Sequence, residues 1–159
     1  MAAPRFDIRV FHEIGALPVF SPDREGENTP RTVRDFMKAV EANDGLIVSS
    51  PEYVRTLPGG LKNAIDWLVS AELIVYKPVV LAHASHRGDD MLATLRDVMS
   101  TVTSNFNSEI FLRFPLMKKS PDEIRQIVGT PENRCRVDRF LEEFSEFCQT
   151  VRADASGLG

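Results

Sequence analysis

The sequence predicts an α/β fold, with helices packed on both faces of a parallel sheet. Short, almost wholly apolar runs, "GLIVSS" and "KPVVLAHAS", have the pattern of strands buried on both faces. Each is followed by a segment whose apolar residues recur at helical spacing, the order of a βα unit. No internal repeat or low-complexity stretch interrupts that alternation. A chain of 159 residues, 43% hydrophobic and 26% charged, suits one domain with a continuous core. That domain is expected over residues 1–152, with 153–159 as a frayed tail.

Taken in order, "FDIRVF" at residues 6–11 sets Phe6, Ile8 and Val10 on one face and predicts a half-buried strand. After a loop rich in Pro, Gly and acids, Thr29 is placed to cap a helix with Pro30 at its first position and Val33, Phe36, Met37 and Val40 on its inner side. "GLIVSS" is the next strand. Leu61, Ala64, Ile65 and Leu68 share one side of the helix after it, and Lys62 and Asp66 form an exposed i, i+4 pair on that helix. "KPVVLAHAS" repeats the buried strand, and Leu92, Leu95, Val98, Met99 and Val102 repeat the helix. "SEIFLRF" predicts a further strand, Ser120 and Glu123 have the spacing of a capping box, and Thr130-Pro131 opens a long terminal helix. Val137, Phe140, Leu141, Phe144, Phe147 and Val151 line that helix.

Charge and composition remove several classes of function. A net charge of −4 without a cluster of Lys and Arg argues against a sequence-independent grip on nucleic acid. No basic-then-apolar leader opens the chain, and no apolar run approaches the roughly 20 residues that cross a bilayer, so the expected address is the cytoplasm, away from membranes. Cys135 and Cys148 lack the spacing of a disulfide framework or a zinc site, and read as one surface and one buried thiol. His83, His86, Asp89 and Asp90 match no ligand spacing, so no metal is expected. Ser85 and His86 are adjacent on an extended chain and point apart, which sets aside a nucleophile pair. In parallel sheets ligands settle beyond the carboxyl ends of the strands. Two loops lie there, Ser49 to Gly60 and "ASHRGDD" at residues 84–90.

The first of these loops, with its helix, "SSPEYVRTLPGGLKNAIDWL", resembles the hallmark segment of the NADPH-dependent FMN reductase family, which includes chromate, quinone and azo reductases. The resemblance continues through "YKPVVLAHASHRGDDMLATLRDVM" and reaches back to "FDIRVFHEIGALPVFSPD", which is similar to the family's second strand and the loop after it. It implies a flavodoxin-like three-layer sandwich binding FMN, with NADPH or NADH as electron donor and a quinone, azo compound, metal oxyanion or flavin as acceptor. It further implies that Pro51, Glu52 and Tyr53 border the flavin ring and that Ser85, Arg87 and Gly88 approach its other edge. The hydride chemistry would belong to the cofactor, and no catalytic side chain is named. A homodimer or homotetramer is expected, with the "LKNAIDWL" helix near the subunit contact.

The departures from the family pattern bear on function. The family's first strand, and the Gly/Ser/Arg loop that cradles the FMN phosphate at a helix N-terminus, are expected to be absent from the chain. In the strand order 2-1-3-4-5 that strand would lie between "FDIRVF" and "GLIVSS". Val54 stands where the family has Asn, and Asp89 where many members have a second Gly. The alternative expectation is therefore a truncated flavodoxin-like protein that does not bind FMN and serves as an interaction or oligomerisation module.

Overall fold

In the computed structural model, which describes residues 6–156, three apolar runs become the strands of one parallel sheet. They are β1 (Leu46–Ser49), β2 (Val79–His83) and β3 (Phe106–Arg113), in spatial order β1-β2-β3. Leu46 pairs with Val79 and Ser49 with Ala82, while His83 pairs with Arg113. The central strand is the most apolar and the most buried, as a strand covered on both faces must be. Between Val79 and Leu81 the register on β3 jumps from Phe106 to Phe111. The extra residues are held by Asn107, whose Oδ1 accepts the N–H groups of Glu109 and Ile110 at 3.0 and 3.3 Å. This bulge breaks the ladder along the outermost strand, a recurrent protection against edge pairing.

Alternation along β2 divides the core. Val79 and Leu81 face helices α1 (Arg31–Glu41), α2 (Gly59–Ser70) and α3 (Asp89–Val102), packing with Val33, Phe36, Leu68, Leu92 and Met99. Val80 faces the other way, against Phe140 and Phe144 of α5 (Pro131–Ser156). The layers are thus helix, sheet and helix. Gly45 permits the approach of α5, since a Cβ there would lie 2.6 Å from the Phe144 ring and 2.7 Å from Cys148 Sγ.

The helix α2 shows why its sequence reads as it does. Ala64, Ile65, Trp67 and Leu68 are buried. One turn apart, Asn63 and Trp67 reach the same incoming loop. Asn63 Oδ1 accepts the Phe20 N–H at 2.8 Å, and its amide donates to the Pro18 carbonyl at 3.0 Å. Trp67 Nε1 donates to that same carbonyl at 2.8 Å, with Phe20 edge-on to the indole at 5.0 Å. Trp67 is therefore committed to the chain's own core. The expected Lys62–Asp66 ion pair is formed on the exposed side.

Two expectations need correction. Residues 6–11 form no strand: residues 7–13 join no ladder, and Ile8 and Val10 are 57% and 68% exposed. Phe11 packs on α1, 4.9 Å from Phe36. Alternation makes a strand only where a neighbour offers backbone groups, and among the described residues the outer edge of β1 offers its groups to nothing. Thr29 does not cap α1. Pro30, with ψ at 147°, takes the cap position itself, and the Thr29 carbonyl instead accepts from the Arg34 guanidinium. Helix α5 runs as far as Ser156, and of the tail expected to fray 157–159 lie outside the described residues.

The remaining local signals form as expected. Helix α4 (Pro121–Gly129) opens with a capping box, Ser120 Oγ accepting from Glu123 N–H at 3.3 Å and Glu123 Oε2 from Ser120 N–H at 2.8 Å. Thr130 Oγ1 accepts the Asn133 N–H at the head of α5. Cys135 is exposed and Cys148 half-buried; burial pushes the Cys148 thiol up to about 11. Among the described residues, no helix is long and apolar enough to cross a membrane.

Candidate flavin-binding site

Beyond the carboxyl ends of the strands three loops meet: 50–58 after β1, 84–88 after β2 and 114–120 after β3. The first begins with buried Ser50, whose hydroxyl donates to the Pro51 carbonyl at 3.0 Å. Tyr53 and Thr56 then exchange both backbone hydrogen bonds, at 2.9 and 3.0 Å. Between them Val54 and Arg55 have φ of 50° and 61°. Two successive left-handed residues make a turn of the I′ kind, a position that Asn-Gly fills without strain and a β-branched valine does not. The tip presents Tyr53 and Val54 to solvent, Val54 at 96% exposure.

Two contacts tie this loop to the start of α3. The Arg55 guanidinium meets Asp90 at 2.6 Å, and that hydrogen bond, with the charge behind it, raises the Arg55 pKa. Glu52 Oε2 accepts the Met91 N–H at 3.4 Å. Helix α3 has Gly88 at its cap position and no capping side chain of its own, so a carboxylate from the neighbouring loop serves one of its open N–H groups. Glu52 thus joins the two loops.

The second loop is braced from beneath. Arg113, the last residue of β3, donates through Nε to the Ser85 carbonyl at 2.7 Å and through Nη2 to the Arg87 carbonyl at 3.3 Å, and pairs with Asp89 at 2.8 Å. His83 Nε2 lies 2.6 Å from the same Arg87 carbonyl. Ser85 Oγ accepts the Arg87 N–H at 3.0 Å. Gly88, with φ of 99°, has no room for a side chain: a Cβ would stand 2.8 Å from His83 Nε2 and 3.7 Å from Glu52 Cβ. The third loop continues the pairing, with Phe114 N–H on the His83 carbonyl at 3.0 Å and Leu116 N–H on that of Ala84 at 3.3 Å. Arg136 lies over the Phe114 ring and donates to the Arg113 carbonyl.

The fold therefore brings Pro51, Glu52 and Tyr53 to the same end of the sheet as Ser85, Arg87 and Gly88. Glu52 and Gly88 are in mutual contact range, Pro51 and Tyr53 are exposed on the first loop, and Arg87 is exposed on the second. Sequence reading missed His83, Arg113 and the Arg55–Asp90 pair. The signal available for the first two was a basic residue at the end of an otherwise apolar strand, in "VVLAH" and "EIFLR".

As a donor set, these loops suit one part of FMN better than the other. The exposed Arg87 guanidinium makes no ion pair or side-chain hydrogen bond among the described residues, and Tyr53 and Val54 offer apolar surface. A flat ring that accumulates negative charge fits that combination. The phosphate is served less well. The first turn of α3 carries Asp89 and Asp90, whose charges oppose an anion at that helix N-terminus. A separate hollow of about 660 Å³ between α4 and α5, walled by Arg134, Cys135, Asp138 and Arg139, shares no residue with these loops.

A parallel three-layer sheet with ligand-facing loops at its carboxyl ends defines an α/β protein of flavodoxin-like type. Its residues 1–111 match the family described as NADPH-dependent FMN reductase, and the chain belongs to that family. It is similar to a 2-hydroxy-1,4-benzoquinone reductase of a Burkholderia species, 44% identical over 57 residues, which are 36% of this chain and 31% of that protein. It is also similar to a quinone reductase of Escherichia coli strain K12, 32% identical over 88 residues, 54% of this chain and 47% of that protein. The chain thus spans less than half the length of these two relatives. The structure of the flavoenzyme NAD(P)H:(acceptor) oxidoreductase FerB from Paracoccus denitrificans superposes with a TM-score of 0.59 at 20% identity, over 88% of this chain and 78% of that one. That likeness is one of fold.

Proposed function

We propose that this chain binds the isoalloxazine end of FMN between the loops 50–58 and 84–88 and takes part in electron transfer from NADPH or NADH to a small acceptor, a quinone or an azo compound foremost. FMN, when bound, supplies the two-electron chemistry. The chain's own residues bind and orient it. Pro51 and Tyr53 form the wall on one side of the ring. Glu52 holds that wall against α3, and the Ser85–Gly88 backbone, braced by Arg113, meets the opposite edge. The Arg87 guanidinium favours the negative charge that the ring gains on reduction. Metal oxyanions and free flavin are further acceptors of the same reading, and a cytoplasmic homodimer or homotetramer is its expected form.

The observation that carries the proposal is the convergence of the family's hallmark loop with the Arg113-braced loop at the carboxyl end of the sheet. A second reading, an interaction module without flavin, is favoured by Asp89 and Asp90 at the nearest helix N-terminus. Titration of the purified chain with FMN, followed by flavin fluorescence and absorbance, separates the two. Micromolar or tighter binding followed by NAD(P)H-driven quinone reduction supports the reductase. A folded chain that leaves flavin fluorescence unchanged supports the module.

A further inference from the structure

His83 carries an imidazole that has no part in the flavin binding or electron transfer proposed above. It closes the central strand, is only 4% exposed, and stands directly beneath the loop 84–88. Its Nε2 is 2.6 Å from the Arg87 carbonyl. A carbonyl can only accept, so Nε2 carries the proton that joins it to Arg87, and Nδ1 is the other ring nitrogen. That Nδ1 is buried and has no partner, the single such side-chain atom among the described residues. Buried polar atoms without partners are uncommon, and a leucine would fill this position at lower cost if packing were its purpose. The ring is also the surface against which Gly88 is fitted, at 2.8 Å from Nε2 and 3.1 Å from Cε1 for a Cβ placed there. One face of the imidazole thus sets both the direction of the Arg87 carbonyl and the requirement for glycine beside it.

We propose that His83 is a positioning residue, which through the bond from its Nε2–H to the Arg87 carbonyl holds the loop 85–88 in the conformation that receives the flavin edge. The flavin half of this statement rests on the function proposed above; the loop half does not. Arg113 reaches the same carbonyl at 3.3 Å, a weaker contact, and spends its Nε on Ser85. The direction of the Arg87 peptide is therefore owed mainly to the histidine. That peptide also carries the N–H of Gly88 and turns the chain into α3.

Trypsin cleavage after the exposed Arg87, at a peptide bond whose carbonyl His83 and Arg113 hold, reports the loop without any cofactor. His83→Leu should speed it about tenfold, the value of one hydrogen bond, whereas His83→Gln, whose amide nitrogen reaches the Nε2 position, should cleave at the wild-type rate. His83→Asn, whose amide reaches only the Nδ1 position, should behave as Leu. Gly88→Ala should do the same by pushing the ring aside. In parallel the FMN Kd should rise about tenfold in the Leu and Asn variants and stay near wild type in Gln. Equal cleavage of the Leu and Gln variants, fast or slow, would overturn the proposal in favour of a packing residue. Should the Leu variant fail to fold, the comparison of Gln with Asn and Gly88→Ala decides the same point. A loosened loop with an unchanged FMN Kd overturns the flavin half alone. A wild-type chain that does not bind FMN removes the function proposed above, while the cleavage rates still decide what His83 does.

Discussion

At the scale of single residues, Val54 is the position most at odds with its conformation. A valine at φ of 50°, exposed at 96%, gains no packing that would offset the strain of a left-handed β-branched residue. Such strain costs on the order of 1–3 kcal/mol. Val54→Asn, the residue that tolerates this region best after glycine, should relieve about 1 kcal/mol of it and raise the thermal midpoint by about 2–4 °C for a chain of this size. A scanning-calorimetry comparison that shows no rise would mean the turn is not of this type in solution. Strain kept at the tip of the hallmark loop fits a residue held for contact with a ligand. Of the site residues, those in the hallmark loop and in "ASHRGDD" were legible because loops at strand ends, and their likeness to a family, are properties of short stretches. His83 and Arg113 were not. Each acts on a backbone carbonyl of the 84–88 loop, from a strand end, and neither direction is written in local spacing.

At the scale of elements, the capping box of α4 gives a pH-dependent signature. Hydrogen bonding from the Ser120 N–H first, then from Lys119 and the Ser120 hydroxyl, holds Glu123 well below the usual carboxylate range, at about 2. The folded pKa is depressed, so the box stabilises α4 above the unfolded value of about 4.3 and loses that contribution as pH falls toward 2. The Glu123 carboxyl and the Ser120 amide should titrate together in NMR spectra with a midpoint near 2, and Glu123→Gln, which keeps the box geometry, should abolish the step. A midpoint near 4.3 would mean the box is open in solution. This cap was readable because its partners are three residues apart. The cap of α1 was misread by one position, because Pro30 settled in the extended conformation and displaced Thr29 from the cap. The strand expected at 6–11 failed for a different reason: alternation is local, but a ladder needs a partner from elsewhere in the chain. Helix α2 was read as an amphipathic helix, and its bonds from Asn63 and Trp67 to the Pro18 carbonyl appear only in three dimensions.

At the scale of the whole molecule, β1 stands at an edge of the sheet. It is four residues long, and its outer edge pairs with nothing among the described residues. Residues 7–13 join no strand among the described residues, and the α5 face of the sheet leaves Ile47 and Ala82 only partly buried. The α/β class, the parallel sheet and the order of its elements were legible because buried parallel strands and amphipathic helices leave periodic marks. How the sheet ends was not, since an edge is defined by what is next to it. The same edge bears on the cofactor. In the function proposed above, the loops 50–58 and 84–88 give the ring a wall and a cation, while the acidic first turn of α3 opposes the phosphate. Fusing a strand, a Gly/Ser/Arg-rich loop and a helix ahead of Phe6 should give β1 a neighbour and the phosphate a helix N-terminus. Two charge-assisted hydrogen bonds at about 1.5–3 kcal/mol each would tighten FMN binding by about a hundredfold or more. Fluorescence titration of both proteins checks this, and amide hydrogen exchange should find new protection at Ile47 and Ser49, whose N–H groups alternate with the β2-facing one of Leu46, in the fused chain. Protection without tighter binding would separate the two roles, leaving the strand to complete the sheet and the ring-facing loops to set flavin affinity.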